Sequence, residues 1–355
     1  MRRRNSSPQK KRARKQSRCP HVVVIDLCCG IGGLSIAARQ LGMQIVAGVD
    51  TEPDALRTFA KNFPNADAVA TAVGKKTTVA KCRDSISSRR LENAKLIVVS
   101  GPPCQGFSVA GSRDPKDKRN RALTAVARVI QELQPSCALI ENVETLLAKK
   151  YRSTIRTVKR HLRKAGYHVT IITANAKDFG VAQSRSRAFL FVTARPLDQS
   201  QILARLIEFR RPKVIVEKAL ASLPKAKVRG ITYKDDKRIN GTANHLAMRH
   251  SIRVQKKIAK IPAGTGPMSY RKLHPEKFAK TLYSGHRAPP AHYGWPRSIT
   301  VREAARLQGI PDSFRIYGAF ANQMGQVTNA VPPPLARSVL RVLMESSGLL
   351  NGNHG

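Results

Sequence analysis

The run His21-Val22-Val23-Val24-Ile25-Asp26-Leu27 is apolar apart from its first residue and one acid, and it leads straight into Cys28-Cys29-Gly30-Ile31-Gly32-Gly33. An unbroken β-branched run is the pattern of a strand covered on both faces, as in a parallel sheet. Residues 34–41 follow with helical spacing and are stopped by Gly42, and residues 44–49 form a second strand that ends in Asp50. Strand, glycine loop, helix, strand and acid in this order make a nucleotide-binding arrangement. The loop lets a ligand approach the backbone, and the acid meets ribose hydroxyls. The glycine spacing is not Gly-x-Gly-x-x-Gly, so an adenosine-containing ligand is expected rather than a dinucleotide. The competing reading is a glycine turn in an α/β sheet with no ligand.

A second apolar run, residues 96–99, delivers Ser100-Gly101-Pro102-Pro103-Cys104-Gln105-Gly106-Phe107-Ser108. Two prolines fix the backbone before one cysteine, and flanking glycines leave room beside it, which suits a thiolate nucleophile. A small cysteine buried in a Pro/Gly turn is the structural alternative. Residues 121–134 read as a helix, and strand 137–140 ends in Glu141-Asn142-Val143. A carboxylate at a strand end belongs to the crevice that Asp50 and Cys104 share, which makes acid–base work by Glu141 credible. Helix 153–165 and strand 167–174 come next. Alternation then puts Gln183, Arg185 and Arg187 on one face before strand 188–193, a pair of guanidiniums suited to a phosphate or a carbonyl oxygen.

Charge narrows the partner. Lys and Arg number 64 against 22 Asp and Glu, a formal net charge of +42, and a globular chain so basic implies a polyanion, most often nucleic acid. A membrane surface fits less well, because no long apolar segment or basic amphipathic helix stands out. The cysteines (Cys19, Cys28, Cys29, Cys82, Cys104, Cys137) form no Cys-x-x-Cys pair and have no His at zinc spacing, so no metal is expected. Free thiols and a basic leader unlike a signal peptide fit a reducing, cytoplasmic setting.

Residues 1–18 read as a disordered basic tail, 19–194 as the first part of a catalytic domain and 195–295 as a smaller recognition domain. Dense Lys/Arg, frequent Gly and Pro, and Tyr233, Tyr270, Tyr283 and Trp295 mark that middle unit. Residues 296–345 return to the catalytic domain and 346–355 form a flexible end. In the returning part, Thr300 and Glu303 predict a capping box for helix 301–308, residues 323–331 read as a polar loop, and Pro332-Pro333-Pro334 opens a final helix with core residues Leu335, Val339, Leu340 and Leu343. Residues 66–90 show little pattern.

The ordered set of motifs resembles the cytosine-5 DNA methyltransferases. It comprises Asp26 to Gly33, Gly101 to Ser108, Glu141-Asn142-Val143, Gln183-Ser184-Arg185-Ser186-Arg187, Thr300 to Gln308 and Gln326-Val327-Thr328-Asn329-Ala330-Val331-Pro332-Pro333. The resemblance implies an α/β, doubly wound, Rossmann-like S-adenosylmethionine-dependent domain with a smaller target-recognition domain. It implies methyl transfer to carbon 5 of a cytosine flipped out of a short specific duplex DNA sequence. Cys104 would attack carbon 6, Glu141 would hold ring nitrogen 3 and the exocyclic amine, and Arg185 and Arg187 would orient the carbonyl oxygen. Asp26, Cys28, Gly30, Gly32, Gly33, Asp50, Pro102, Phe107, Asn329 and Val331 would surround the cofactor, S-adenosylmethionine.

Two departures stand out: no carboxylate lies near residues 70–76, where the family contacts the adenine amine, and Thr328 occupies a position where glycine is common. The compact length suggests a monomeric prokaryotic modification enzyme, solitary or partnered with a restriction endonuclease. The alternatives are a transfer-RNA cytosine-5 methyltransferase, although the Cys-Phe-Thr signature of that branch is missing from 195–295, and a non-catalytic DNA-binding regulator.

Overall fold

The computed structural model describes residues 21–103, 121–229, 242–267, 270–283 and 289–350. The basic tail, Cys19, Cys104, Phe107, Tyr233 and the end from 351 lie outside the described residues.

The sheet is built in chain order from β1 (Val22–Leu27), β2 (Gln44–Asp50), β3 (Asp67–Ala70), β4 (Lys95–Ser100) and β5 (Cys137–Val143). β6 (His168–Asn175), the short β7 (Gln183–Ser184) and β8 (Ser186–Thr193) follow. Seven strands pair in the order β3-β2-β1-β4-β5-β8-β6. β1 to β5 run parallel, and β8 is antiparallel to both neighbours. β1 is buried at all positions, which is why its sequence is apolar on both faces.

Helices cover both faces. α1 (Gly33–Gln40) and α2 (Pro53–Asn62) cross over on one side, while α3 (Lys76–Ser87), α4 (Arg121–Leu133) and α5 (Arg152–Lys164) cover the other. After β8 come α6 (Gln199–Glu208), α7 (Val216–Leu220), the paired strands β9 (Lys227–Arg229) and β10 (Leu246–Met248), and α8 (Ile252–Ala259). β11 (Ala279–Lys280) lies parallel to β7. The chain ends with α9 (Val301–Leu307), α10 (Phe320–Asn329) and α11 (Pro333–Ser346), and α11 packs on α1 and α6.

Three expectations need correction. Residues 323–331 are not a loop, because α10 occupies most of them. Phe320, Met324 and Val327 give it a buried stripe, and its amides are tied inside: Thr58 Oγ1 donates to Gln326 Oε1 at 2.7 Å and Asn244 Nδ2 to Gln323 Oε1 at 3.0 Å. Residues 66–90 contain β3 and α3, whose pattern is faint because β3 is an edge strand with only Val69 buried and α3 buries only Thr78, Val79, Cys82 and Ser85. A basic amphipathic helix does exist. α5 puts Val158 and Leu162 into the core and leaves Arg152, Arg156, Arg160 and Lys164 exposed. Its apolar stripe faces α4 and the sheet, so it is a core helix with a charged back rather than a free amphipathic segment.

Thr300 and Glu303 make the expected capping box, with Thr300 Oγ1 accepting from the Glu303 backbone and the Glu303 carboxylate accepting from the Thr300 backbone at 2.7 Å. Arg297 donates to both Glu303 oxygens at 2.7 and 2.8 Å. Arg302 is fully buried and donates to the carbonyls of Ala243, Pro311 and Phe314. A buried guanidinium spread over several carbonyls ties the middle segment to the returning helices.

Candidate functional site

Strand register assembles the site. Leu27 pairs with Val49 and with Ser100, and Ser100 pairs with Ile140. The next residues along these four parallel strands are Cys28, Asp50, Gly101 and Glu141, a row at the carboxyl ends where α/β sheets bind ligands. Ser100 Oγ donates to the Leu27 carbonyl at 2.8 Å and holds β1 and β4 in step.

At the first loop the glycines divide their labour. Cys28, Gly30 and Gly32 have φ of 55°, 52° and 87°, so the chain turns sharply before α1. A Cβ on Gly33 would stand 2.4 Å from the Val331 carbonyl oxygen, and one on Gly32 would stand 2.7 Å from the Phe63 ring. Both positions hold the loop down by close packing. Among the described residues nothing lies within 4 Å of the missing Gly30 Cβ, so its face of the loop is open to them. Asp50 braces the loop from β2: Gly30 N donates to its Oδ2 at 2.8 Å, and Thr51 N and Glu52 N donate to its Oδ1 at 2.7 and 3.0 Å.

Asp26 lies beneath the loop. Ser35 Oγ donates to its Oδ2 at 2.6 Å, while Oδ1 is buried with no hydrogen-bond partner among the described residues. Burial pushes its carboxyl up to about 7, and the nearby Asp50 charge pushes the same way. Burial also drives the Cys28 and Cys29 thiols far above their ordinary range, with Asp50 and Asp26 adding to the effect, so neither is a ready thiolate. Burial raises Cys82 and Cys137 to about 12 as well.

Glu141 lies near the end of β5 and Arg187 near the start of β8 on the same face, one pleat apart in register. Arg187 Nε meets Glu141 Oε1 at 2.8 Å. The Glu141 Oε2 atom looks the other way, 3.6 Å from where a Gly101 Cβ would stand, and Val331 Cγ2 lies 3.8 Å from that same point. Gly101 therefore sits between the carboxylate and Val331, the residue that packs on the first loop. Asn142 Nδ2 donates to the Pro102 carbonyl at 3.3 Å and its Oδ1 accepts from Val143 N at 2.9 Å, which anchors the proline pair two residues before Cys104.

Burial alternates through the next motif, with Gln183, Arg185 and Arg187 inside and Ser184 and Ser186 half-exposed. The three do not share a task. Gln183 is bonded to Gln308 at 3.0 Å and accepts from Leu282 N at 3.1 Å, so it joins β7 to the returning helices. The backbone of Arg185 is fixed by Asn175, whose Oδ1 accepts from Arg185 N at 3.1 Å. Asn329 is exposed at the last residue of α10, and Thr328 before it is buried in the final helical turn, where its hydroxyl donates to the Gly325 carbonyl at 3.1 Å.

Asn142, Asn175, Ser35 and Arg302 are supporting residues that pattern reading alone missed. Asn142 and Arg302 stood inside quoted motifs, but nothing in a linear pattern says which backbone oxygens they meet. Residues 70–76 join the end of β3, where Thr71 N donates to the Asp50 carbonyl at 3.0 Å, to the start of α3.

Comparison with known proteins gives a consistent result. A model of the C-5 cytosine-specific DNA methylase family matches residues 22–345. The chain is 30% identical to Type II methyltransferase M1.HphI of Haemophilus parahaemolyticus, covering 92% of this chain and 88% of that one. It is 32% identical to Type II methyltransferase M.XorII of Xanthomonas oryzae, covering 91% and 84%. Among solved structures, a prophage-encoded E. coli protein described as a candidate DNA modification methyltransferase superposes with a TM-score of 0.77 at 26% identity, over 92% of this chain and 99% of that one. The S. pombe Dnmt2 methyltransferase shares the fold, with a TM-score of 0.63 at 17% identity over 91% and 98%.

Proposed function

The chain belongs to the C-5 cytosine-specific DNA methylase family, and on that footing we propose that the row from Asp50 to Glu141 is the crevice in which its reaction runs. The family transfers a methyl group from S-adenosylmethionine to carbon 5 of cytosine in DNA. The residues present suit that donor. Among the described residues, Gly30 leaves an open face on the loop, Asp50 stands at the end of β2 for the ribose, and Asp26 Oδ1 is a buried acceptor with no partner. Cys28, Gly30, Asp50, Pro102, Asn329 and Val331 are the residues assigned to hold it, with Phe107 carried over from its motif. Gly32 and Gly33 serve the same loop from below. When bound, the donor supplies an electrophilic methyl group on a sulfonium.

The chain's own residues prepare the base. Cys104, in the Pro-Pro-Cys motif, adds to carbon 6 of the flipped cytosine, and the electron pair displaced from the 5,6 double bond makes carbon 5 nucleophilic. Glu141 holds ring nitrogen 3 and the exocyclic amine, and passes a proton from solvent to nitrogen 3 as charge develops on the ring, returning it when Cys104 leaves. Arg187 keeps the Glu141 carboxylate turned toward Gly101, and with Arg185 it places positive charge beside the carbonyl oxygen. Once carbon 5 carries the methyl group, loss of its proton restores the double bond and expels Cys104.

The observation that carries this assignment is the register that puts Cys28, Asp50, Gly101 and Glu141 side by side, with Arg187 on Glu141. Recognition of a short duplex sequence is assigned to residues 195–295, supported by their Lys/Arg density and by the anchoring of β11 on β7. The chain is read as a monomeric modification enzyme, and its type II relatives favour a restriction endonuclease as partner. The test is bisulfite mapping of plasmid from a host without cytosine methylation. Wild-type protein should methylate one short recurring sequence, and Cys104→Ser and Glu141→Gln should leave it unmodified. A methylation pattern unchanged in both variants would overturn the residue roles.

A further inference from the structure

We infer that the outer face of α5 is a second DNA-binding track, separate from the crevice and from residues 195–295. α5 contains no acidic residue, and its exposed face carries Arg152, Arg156, Arg160 and Lys164 at successive i, i+4 positions. Residues at that spacing form one ridge along a helix. Among the described residues, none of these four cations is ion-paired with an acidic side chain. Arg128 on α4 extends the patch: the surrounding Arg128, Arg160 and Lys164 charges add to burial in holding His161 below its ordinary range.

Such a ridge is costly to the helix itself. Like charges at i, i+4 destabilise a helix, and Arg152 and Arg156 stand in its amino-terminal half, where the macrodipole favours acids. The first turn of α5 has none. Helix propensity does not demand arginine there, and the usual relief of a surface helix, a Glu four residues before a Lys, is missing along the whole element. A polyanion laid along the ridge relieves all of these repulsions together.

Spacing selects the polyanion. Successive cations are about 6 Å apart along the helix axis, close to the roughly 6.8 Å axial separation of alternate phosphates on one strand of B-form DNA. The track also lies away from the reading surface. α5 packs with α4 on one face of the sheet, whereas α6, α9 and α11 cover the other, and α7 of the middle segment packs on α9. A duplex on α5 is thus a second segment of DNA, held by its backbone without sequence preference.

The test is stoichiometry and salt dependence with a 20-base-pair DNA duplex of arbitrary sequence, using the full chain. The variant is Arg152→Gln, Arg156→Gln, Arg160→Gln and Lys164→Gln together. A control removes the same charge elsewhere through Lys61→Gln, Lys81→Gln, Arg90→Gln and Lys95→Gln, all exposed positions outside the crevice. Wild type and control should bind one more duplex per chain than the α5 variant. The slope of log affinity against log salt for that duplex should be about 3–4 smaller in the variant, as expected for the loss of four phosphate contacts. Equal losses in variant and control would reduce the effect to bulk charge and overturn the track. Tighter binding of an A-form RNA duplex of the same length would overturn the choice of DNA. Thermal melting of the variant at the wild-type temperature keeps folding out of the comparison, and neither readout requires methylation, so failure of the catalytic assignment would leave this result standing.

Discussion

Arg187 Nε lies 2.8 Å from Glu141 Oε1, with both side chains almost wholly buried. The carboxylate at the end of one strand is thus aimed by a guanidinium on the antiparallel neighbour. Glu141→Gln keeps the shape and a hydrogen-bond acceptor for Arg187 but removes its counter-charge, so its melting temperature should fall less than that of Arg187→Ala while methylation falls about 10²–10⁴-fold. Arg187→Ala leaves a buried carboxylate alone, which costs about 3–5 kcal/mol, and should lower both the melting temperature and the rate. Single-turnover methylation read beside thermal melting separates the two effects.

The two kinds of glycine in the first loop should respond differently. Gly33→Ala forces a methyl group against the Val331 carbonyl at 2.4 Å, an overpacking worth about 1–3 kcal/mol, and should lower melting temperature. Gly30→Ala meets no atom of the described residues within 4 Å but must hold φ of 52°, a strain of about 1 kcal/mol. Its main expected effect is weaker S-adenosylmethionine binding in a calorimetric titration, because the added methyl occupies the open face.

Arg302→Met replaces a buried cation by a chain of similar length and strips the donors from the Ala243, Pro311 and Phe314 carbonyls. Each buried acceptor left unpaired costs about 1–3 kcal/mol. Denaturant unfolding should show a loss of several kcal/mol.

Asp26 makes stability depend on pH. Its folded carboxyl is raised to about 7 from an unfolded value of 3.8, so the folded state binds the extra proton between those values. Its contribution is full below about pH 4, declines as pH rises to about 7 and is flat above. Asp26→Asn should remove that decline, on the order of a few kcal/mol, in melting curves taken from pH 4.5 to 8.

The crevice was legible where chemistry and strand pattern coincide. Val22 to Leu27 is apolar because the strand is buried on both faces, and Glu141 could be read as a strand-end acid because Cys137 to Ile140 precede it. The capping box at Thr300 and Glu303 was legible because both partners are local. α10 was not. Its amides Gln323 and Gln326 look solvated in sequence, and only Asn244 and Thr58, far away in the chain, show why they are buried. α5 was read as a helix, but its basic amphipathic character escaped notice for a different reason: its Lys and Arg are so numerous that the Ile155, Val158 and Leu162 stripe is easily passed over. The split of the glycines into packing and open positions needed Val331 and Phe63, which only the folded chain brings to the loop.

The packing of Gly33 under Val331, and of α11 on α1, has a consequence for synthesis. A ribosome makes the first loop long before Val331, the residue that packs on it. The growing polypeptide therefore carries an unclosed first loop until Val331 has been made, and methylating activity should appear only after α11 has left the exit tunnel.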